Sequence, residues 1–227
     1  MKINEIETPA LILDKQTFEY NLERMDQLLE GTTMKLRPHY KSNKCAEIAK
    51  LQIKRGAAGI TCAKLGEAED LAKAGIENIL IANQVVQPSK VKRVAELAKD
   101  HYIIICVDDK DNIKALSDAA VEAGSQIHVL VEYEVGMKRC GVDTYDEFIE
   151  LAELIDKSEG LIFEGIQAYG GHMAHEHSLE TRIAETNRIE NEVRELKALL
   201  EAKGIKVKEV GGGSTGTIEQ KAKDTVY

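Results

Sequence analysis

The sequence has no tryptophan, only three prolines, and no pair of cysteines at metal or redox spacing. Cys45, Cys62, Cys106 and Cys140 stand singly. Two of them sit in or beside apolar runs, where a free thiol packs as a small hydrophobe, so a reducing compartment is expected. Positive charge is in deficit: 30 Lys and Arg against 39 Asp and Glu leave a net charge of −9. No nucleic-acid partner is expected, because a polyanion binder carries a basic stripe. A small basic group, Lys90, Lys92 and Arg93, is followed by Glu96 and Asp100 and reads as a solvated helix face. No apolar run approaches the roughly 18 residues of a membrane span, and Met1–Thr8 is too polar to open a signal peptide. These absences leave a soluble, cytoplasmic chain with no membrane partner as the expectation. At 43% hydrophobic and 30% charged, its 227 residues can bury the core of one α/β domain, read as spanning 1–227.

What is present is a repeated unit in which an amphipathic helix ends at a glycine and a short apolar, β-branched run follows. Gly31, Gly56, Gly75, Gly124, Gly160 and Gly204 each stand before such a run. Glycine suits the left-handed residue that ends a helix. Helical faces are plain in Ile189, Val193, Leu196 and Leu200, and in Val91, Val94 and Leu97. The run Tyr102–Asp108 is almost continuously apolar, as suits a parallel strand buried on both faces. About seven strands are expected, near 34–40, 58–62, 78–82, 102–107, 127–132, 162–169 and 206–210, with Ala10–Asp14 a separate extended segment. Alternating units of this number fit a (β/α)8 barrel of the TIM type or a doubly wound sheet. The barrel is expected, because candidate chemistry follows several strands along the chain rather than one switch point. It is expected to be incomplete, since the residues after Val210 offer no convincing eighth strand.

Four segments carry that chemistry. Leu36–Lys44 places Lys41 at the end of the first strand, where a desolvated amine beside a cation such as Arg37 becomes reactive; from spacing alone a rim salt bridge is the simpler reading. Val210–Thr217 follows the last strand with Gly211, Gly212 and Gly213, which let backbone N–H groups approach a phosphate, and Ser214, Thr215 and Thr217 add hydroxyls. Arg139 lies after the fifth expected strand, where it could bond an anionic oxygen or simply face solvent. Ala168–His177 holds His172, His175 and His177; a metal reading competes with a polar loop that collects histidines cheaply. Of these, His172 is the best candidate to pack on a planar cofactor or act as a base.

In order, T-P-A-L-I-L-D (Thr8–Asp14), R-P-H-x-K (Arg37–Lys41), V-G-x-x-R-x-G-V (Val135–Val142), Y-G-G-H (Tyr169–His172) and G-G-G-S-T-G-T (Gly211–Thr217) resemble the D-threonine aldolase and D-serine dehydratase family. Its fold is the alanine-racemase-type, fold-type III barrel that binds pyridoxal 5'-phosphate. The resemblance implies a lyase acting on D-β-hydroxy amino acids, by retro-aldol cleavage or dehydration. It implies that Lys41 carries the cofactor as an aldimine, that Gly212, Gly213, Ser214 and Thr215 hold the phosphate, and that Arg139 approaches the phenolic oxygen. It places Tyr169 and His172 near the ring or substrate, with His172 and Lys41 as the catalytic pair. It further implies a homodimer and a C-terminal β domain that supplies ligands to zinc or manganese. No metal ligands are assigned in this sequence. One departure is local: Lys41-Ser42-Asn43-Lys44 stands where the family often has K-T-H-K. A non-catalytic pyridoxal-phosphate carrier of the same fold is the rival reading. A racemase is a second rival, but it would want a tyrosine base from the C-terminal domain.

Overall fold

In a computed structural model, which describes residues 2–218 and 225–227, six strands run parallel and side by side in sequence order. They are β1 (Ile60–Cys62), β2 (Asn78–Ile81), β3 (Tyr102–Val107), β4 (Ile127–Glu132), β5 (Leu161–Tyr169) and β6 (Glu209–Gly213). Helix α1 (Lys15–Leu29) leads in, and α2 (Ala46–Lys54) precedes β1. The crossovers are α3 (Leu65–Lys73), α4 (Pro88–Leu97), α5 (Lys110–Ala123), α6 (Tyr145–Lys157) and α7 (Leu179–Ala202). The strand order never reverses, so there is no switch-point crevice, and the barrel topology holds over the doubly wound one.

The helix stops behave as their composition requires. All six glycines before the apolar runs have φ between +69° and +94°. Along each strand, alternate side chains separate two layers. Ile79, Ile81, Ile103, Ile105, Val129 and Val131 join the main core against the helices, while Leu80, Ile104, Cys106 and Leu130 form a small cluster on the other face.

That inner face is polar at the amino ends of the strands, and there the sheet is drawn into a half-barrel. Arg37 donates from Nη2 to both oxygens of Glu209, at 2.8 and 3.1 Å, and from Nη1 to Asn78 Oδ1 at 2.5 Å. Arg37 precedes β1 and Glu209 opens β6. In a flat sheet, six steps of about 4.8 Å would hold them about 29 Å apart, beyond any side chain. The sheet therefore curls. Gly59 makes room for the crossing, since a β-carbon there would lie 2.3 Å from Arg37 Nη1. Beside this bridge, Glu164 Oε1 accepts from Tyr102 Oη at 2.8 Å, from Lys208 Nζ at 3.1 Å and from the His128 ring. The Tyr102 and His128 rings stack at 3.8 Å.

Three expectations are corrected. The strand expected near 34–40 is an extended segment with a single bridge, His39 to Thr61; Leu36 and Pro38 carbonyls accept from Ala58 and Thr61, but Pro38 has no N–H to extend the ladder. The strand expected at 206–210 begins three residues later, so Gly211, Gly212 and Gly213 are strand residues paired with Gln167, Ala168 and Tyr169. The third concerns Arg37, which bonds at the amino ends of strands and is no neighbour that could tune Lys41. Of the tail read as lacking a strand, residues 219–224 lie outside those described.

Burial alone would raise the Glu164 carboxyl, which is only 3% exposed, but donors from His128, Tyr102 and Lys208 outweigh it and hold it near pH 2 rather than 4.5. A depressed folded-state value contributes stability above the unfolded value and loses it as pH falls. Glu164→Gln should lower the unfolding free energy by about 2–3 kcal/mol at neutral pH. In urea unfolding, the gap to the parent should close between pH 4.5 and about 2.

Candidate functional site

The opposite, carboxyl ends of the strands carry the residues with chemistry. Lys41 sits in a 3-10 turn, Tyr40–Ser42, just past the extended segment; the buried Tyr40 anchors the turn, and the Lys41 amide donates to His39 Nδ1 at 3.2 Å. The Lys41 side chain is exposed, and its amine makes no ion pair with a described residue. The rim salt bridge exists, but Lys44 makes it: Lys44, at φ +48°, pairs with the buried Glu67 at 3.3 Å. Burial works to raise the Glu67 carboxyl, yet the Ala63 amide and Lys44 hold it below its ordinary value.

Arg139 and Tyr169 are brought together, with the guanidinium 5.3 Å from the ring centroid, a cation–π distance. Beneath Arg139 lies Glu132, the last residue of β4, whose side chain is 6% exposed. Glu132 accepts from Gln84 Nε2 at 2.8 Å, Cys140 Sγ at 3.2 Å and Arg139 Nη2 at 3.3 Å. Burial opposes the charge on Arg139, but contacts with Cys140 and Glu132 outweigh it and raise its pKa. Burial also pushes the Cys140 thiol up, which keeps it protonated as a donor.

Tyr169 ends β5 and stands beside Gly213, whose carbonyl accepts from the Gly170 amide at 3.3 Å. The glycines grant close approach chiefly to the neighbouring strand: a β-carbon on Gly212 would lie 2.3 Å from the Ala168 carbonyl oxygen. After β6 the chain turns, with the Ser214 amide donating to Thr217 Oγ1 at 3.0 Å. Ser214 Oγ is buried without a hydrogen-bond partner among the described residues, and Thr215 is exposed beside it. An orphaned hydroxyl next to a tight turn fits a phosphate oxygen.

His172 lies in the 3-10 turn Gly171–His175, with Nε2 3.5 Å from Glu185 Oε1 on α7 and neither ring nitrogen fully hydrogen-bonded. Among the described residues, no three His, Cys, Asp or Glu side chains group as metal ligands. Those residues also include no helix long and apolar enough to cross a membrane. No hydrogen bond or ion pair among described residues joins the Lys41 side chain to Arg139, Tyr169, His172 or the glycine turn; they share only the same end of the sheet.

Reasoning from sequence missed Glu132, although an acid closing the apolar run Ile127–Glu132 is a signal that a buried charge has a partner. Glu185 and Arg188 left no signal, because carboxylate–arginine pairs three apart are common on helix surfaces.

A parallel α/β half-barrel with candidate site side chains at the strand carboxyl ends has the arrangement of a barrel-type fold. The family model described as alanine racemase, N-terminal domain, matches residues 13–226, and the chain belongs to that family. It is 38% identical over 229 residues to the 3-hydroxy-D-aspartate aldolase of Paracoccus denitrificans, covering 100% of this chain and 59% of that protein. To the D-threonine aldolase of an Arthrobacter species it is 39% identical over 222 residues, covering 98% and 59%. The crystal structure of D-threonine aldolase from Filomicrobium marinum superposes with a TM-score of 0.91 at 40% identity, over 95% of this chain and 58% of the other. The D-threo-3-hydroxyaspartate dehydratase of Delftia superposes at 0.86 with 26% identity, over 94% and 57%. The chain thus spans less than two thirds of the curated relatives it matches.

Ser214→Ala offers a sign test. Removing a buried hydroxyl that has no partner should leave the cofactor-free protein as stable or slightly more so, while lowering affinity for pyridoxal phosphate about ten-fold. Melting temperature and absorbance titration read the two effects separately; a loss of stability with unchanged affinity would remove Ser214 from the phosphate site.

Proposed function

We propose that the chain is the cofactor-binding barrel of a pyridoxal-phosphate-dependent lyase acting on D-β-hydroxy amino acids. The observation that carries this reading is identity of 38 and 39% across nearly the whole chain to two proteins named as aldolases of such substrates. The site residues fit the cofactor: an unpaired amine at Lys41, an orphaned hydroxyl at Ser214 and a charged Arg139 facing Tyr169. Gly212, Gly213, Ser214 and Thr215 would hold the phosphate, and Lys41 would take the aldehyde carbon.

When bound, the cofactor's pyridinium ring accepts electrons from the bond broken at the substrate Cα. The chain's own side chains supply the rest. Lys41 stands exposed with a free amine, able to attack a carbonyl or to carry a proton to and from the carbon beside it. Arg139, held from below by Glu132, would present N–H donors to an anionic oxygen. Tyr169 supplies the ring face under that guanidinium and closes one wall of the site. His172, whose ring nitrogens are buried without a full hydrogen bond among the described residues and have Glu185 at 3.5 Å, would hold a proton at the substrate hydroxyl or pack on the ring.

A small D-amino-acid substrate and a homodimeric assembly belong to the same reading. So does a divalent cation, zinc or manganese, on the substrate hydroxyl, although no three ligand side chains group among the described residues. Four free thiols support a reducing, cytoplasmic setting.

The chain mixed with pyridoxal phosphate should gain a visible absorbance that borohydride fixes as a mass increment on Lys41, and Lys41→Ala should abolish both. D-threonine and 3-hydroxy-D-aspartate supplied with manganese should yield glycine and the matching aldehyde if the chemistry is retro-aldol, and a keto acid with ammonia if it is dehydration. A Lys41 adduct with neither product, even when the C-terminal β domain of the family is supplied, would favour the carrier, and no adduct would end the proposal.

A further inference from the structure

Helix α7 does more than cover the sheet. Arg188 donates from Nε and Nη2 to the two oxygens of Glu185, at 2.9 and 2.6 Å, and from Nη1 to Glu192 Oε1 at 2.6 Å. These bonds stay within the helix and lie near solvent, where such pairs contribute little. One more bond leaves the helix: Nη2 also donates to the Val135 carbonyl at 2.7 Å, reaching the loop that carries Arg139.

Three segments meet at this point. Glu185 Oε1, clamped by Arg188, is 3.5 Å from His172 Nε2. A β-carbon on Gly136, the residue after Val135, would lie 3.3 Å from His172 Nε2 and 3.4 Å from Glu185 Oε1. The loop needs such a clamp. Gly136 has φ +118° and Lys138 +52°, and a lysine in left-handed backbone is a conformation local preference does not hold. Inside the loop only Glu134 secures the Gly136 and Met137 amides. From outside, Arg188 anchors the start of the loop at Val135, and Asp108 its end, accepting from the Gly141 amide at 2.9 Å.

We propose that Arg188 is a positioning residue for the cofactor site: one guanidinium holds Glu185 against His172 and the Val135 carbonyl of the Arg139 loop, fixing both functional side chains to α7. Its relevance to cofactor rests on the reading of Lys41, Arg139 and His172 given above. Lysine is a poor substitute, because a point charge lacks the planar fork that serves two carboxylates and a carbonyl together.

Two readouts test this on Arg188→Met, Arg188→Lys and Glu185→Gln. The first uses no cofactor. Ring ¹H–¹⁵N resonances of His172 should shift in Arg188→Met, which removes no group touching that ring, while those of His101 and His128 stay. The second is pyridoxal-phosphate affinity by absorbance titration, with Kd raised about ten-fold in Arg188→Met and roughly three-fold in Arg188→Lys. Melting temperatures are read alongside, because a purely structural role would lower stability and leave the Kd of the folded protein unchanged. If Arg188→Met does not fold, Arg188→Lys carries the same readouts. Unmoved His172 resonances, or a Kd within two-fold of the parent, overturn the proposal. If the parent binds no cofactor, the site reading fails, while the histidine spectra still decide the positioning role.

Discussion

The half-barrel depends on one crossing inside it. A guanidinium from the segment before β1 reaches the first residue of β6, and a third partner, Asn78, opens β2. Parallel strands joined by right-handed crossovers twist of their own accord, but twist alone does not bring the two ends of a six-stranded sheet together. The Arg37 to Glu209 pair does so, with the arginine side chain 11% exposed. The candidate site residues lie at the other, carboxyl end of the same curled sheet.

The two ends of the interior use charge differently. At the amino ends Arg37 pairs with Glu209, and Glu164 with His128, Tyr102 and Lys208, although His101 Nδ1 and Ser125 Oγ are buried there without a hydrogen bond among the described residues. At the carboxyl ends the pairing stops short of completion. Among the described residues Lys41 makes no ion pair, Ser214 Oγ has no hydrogen bond and neither ring nitrogen of His172 is fully bonded. Glu132 shows the intermediate case, a buried acid satisfied by groups that themselves face the mouth.

Much of this was legible before any coordinates. The glycine stops, the apolar strands β2, β3 and β4, and the buried face of α7 follow from composition and period, because each is a local preference repeated along the chain. Edges were read less well. Pro38 interrupts the ladder of the first expected strand, and the triple glycine, which looks like loop, is strand because β6 must approach β5 closely at Ala168. Arg37 was assigned to the wrong neighbourhood for a related reason: four residues along the chain separate it from Lys41, yet the two fall at opposite ends of the sheet.

Residue type and order settled the class of fold and marked the candidate side chains, since helix stops, strand runs and the motifs around Lys41, Arg139, Tyr169, His172 and Ser214 are properties of short stretches. Only the folded chain decided how those side chains are held. Whether Lys41 or Lys44 takes the salt bridge, which acid lies under Arg139, and which arginine ties its loop to His172 all depend on contacts between segments tens of residues apart. Such contacts arise from strand curvature and helix placement, which no local stretch encodes.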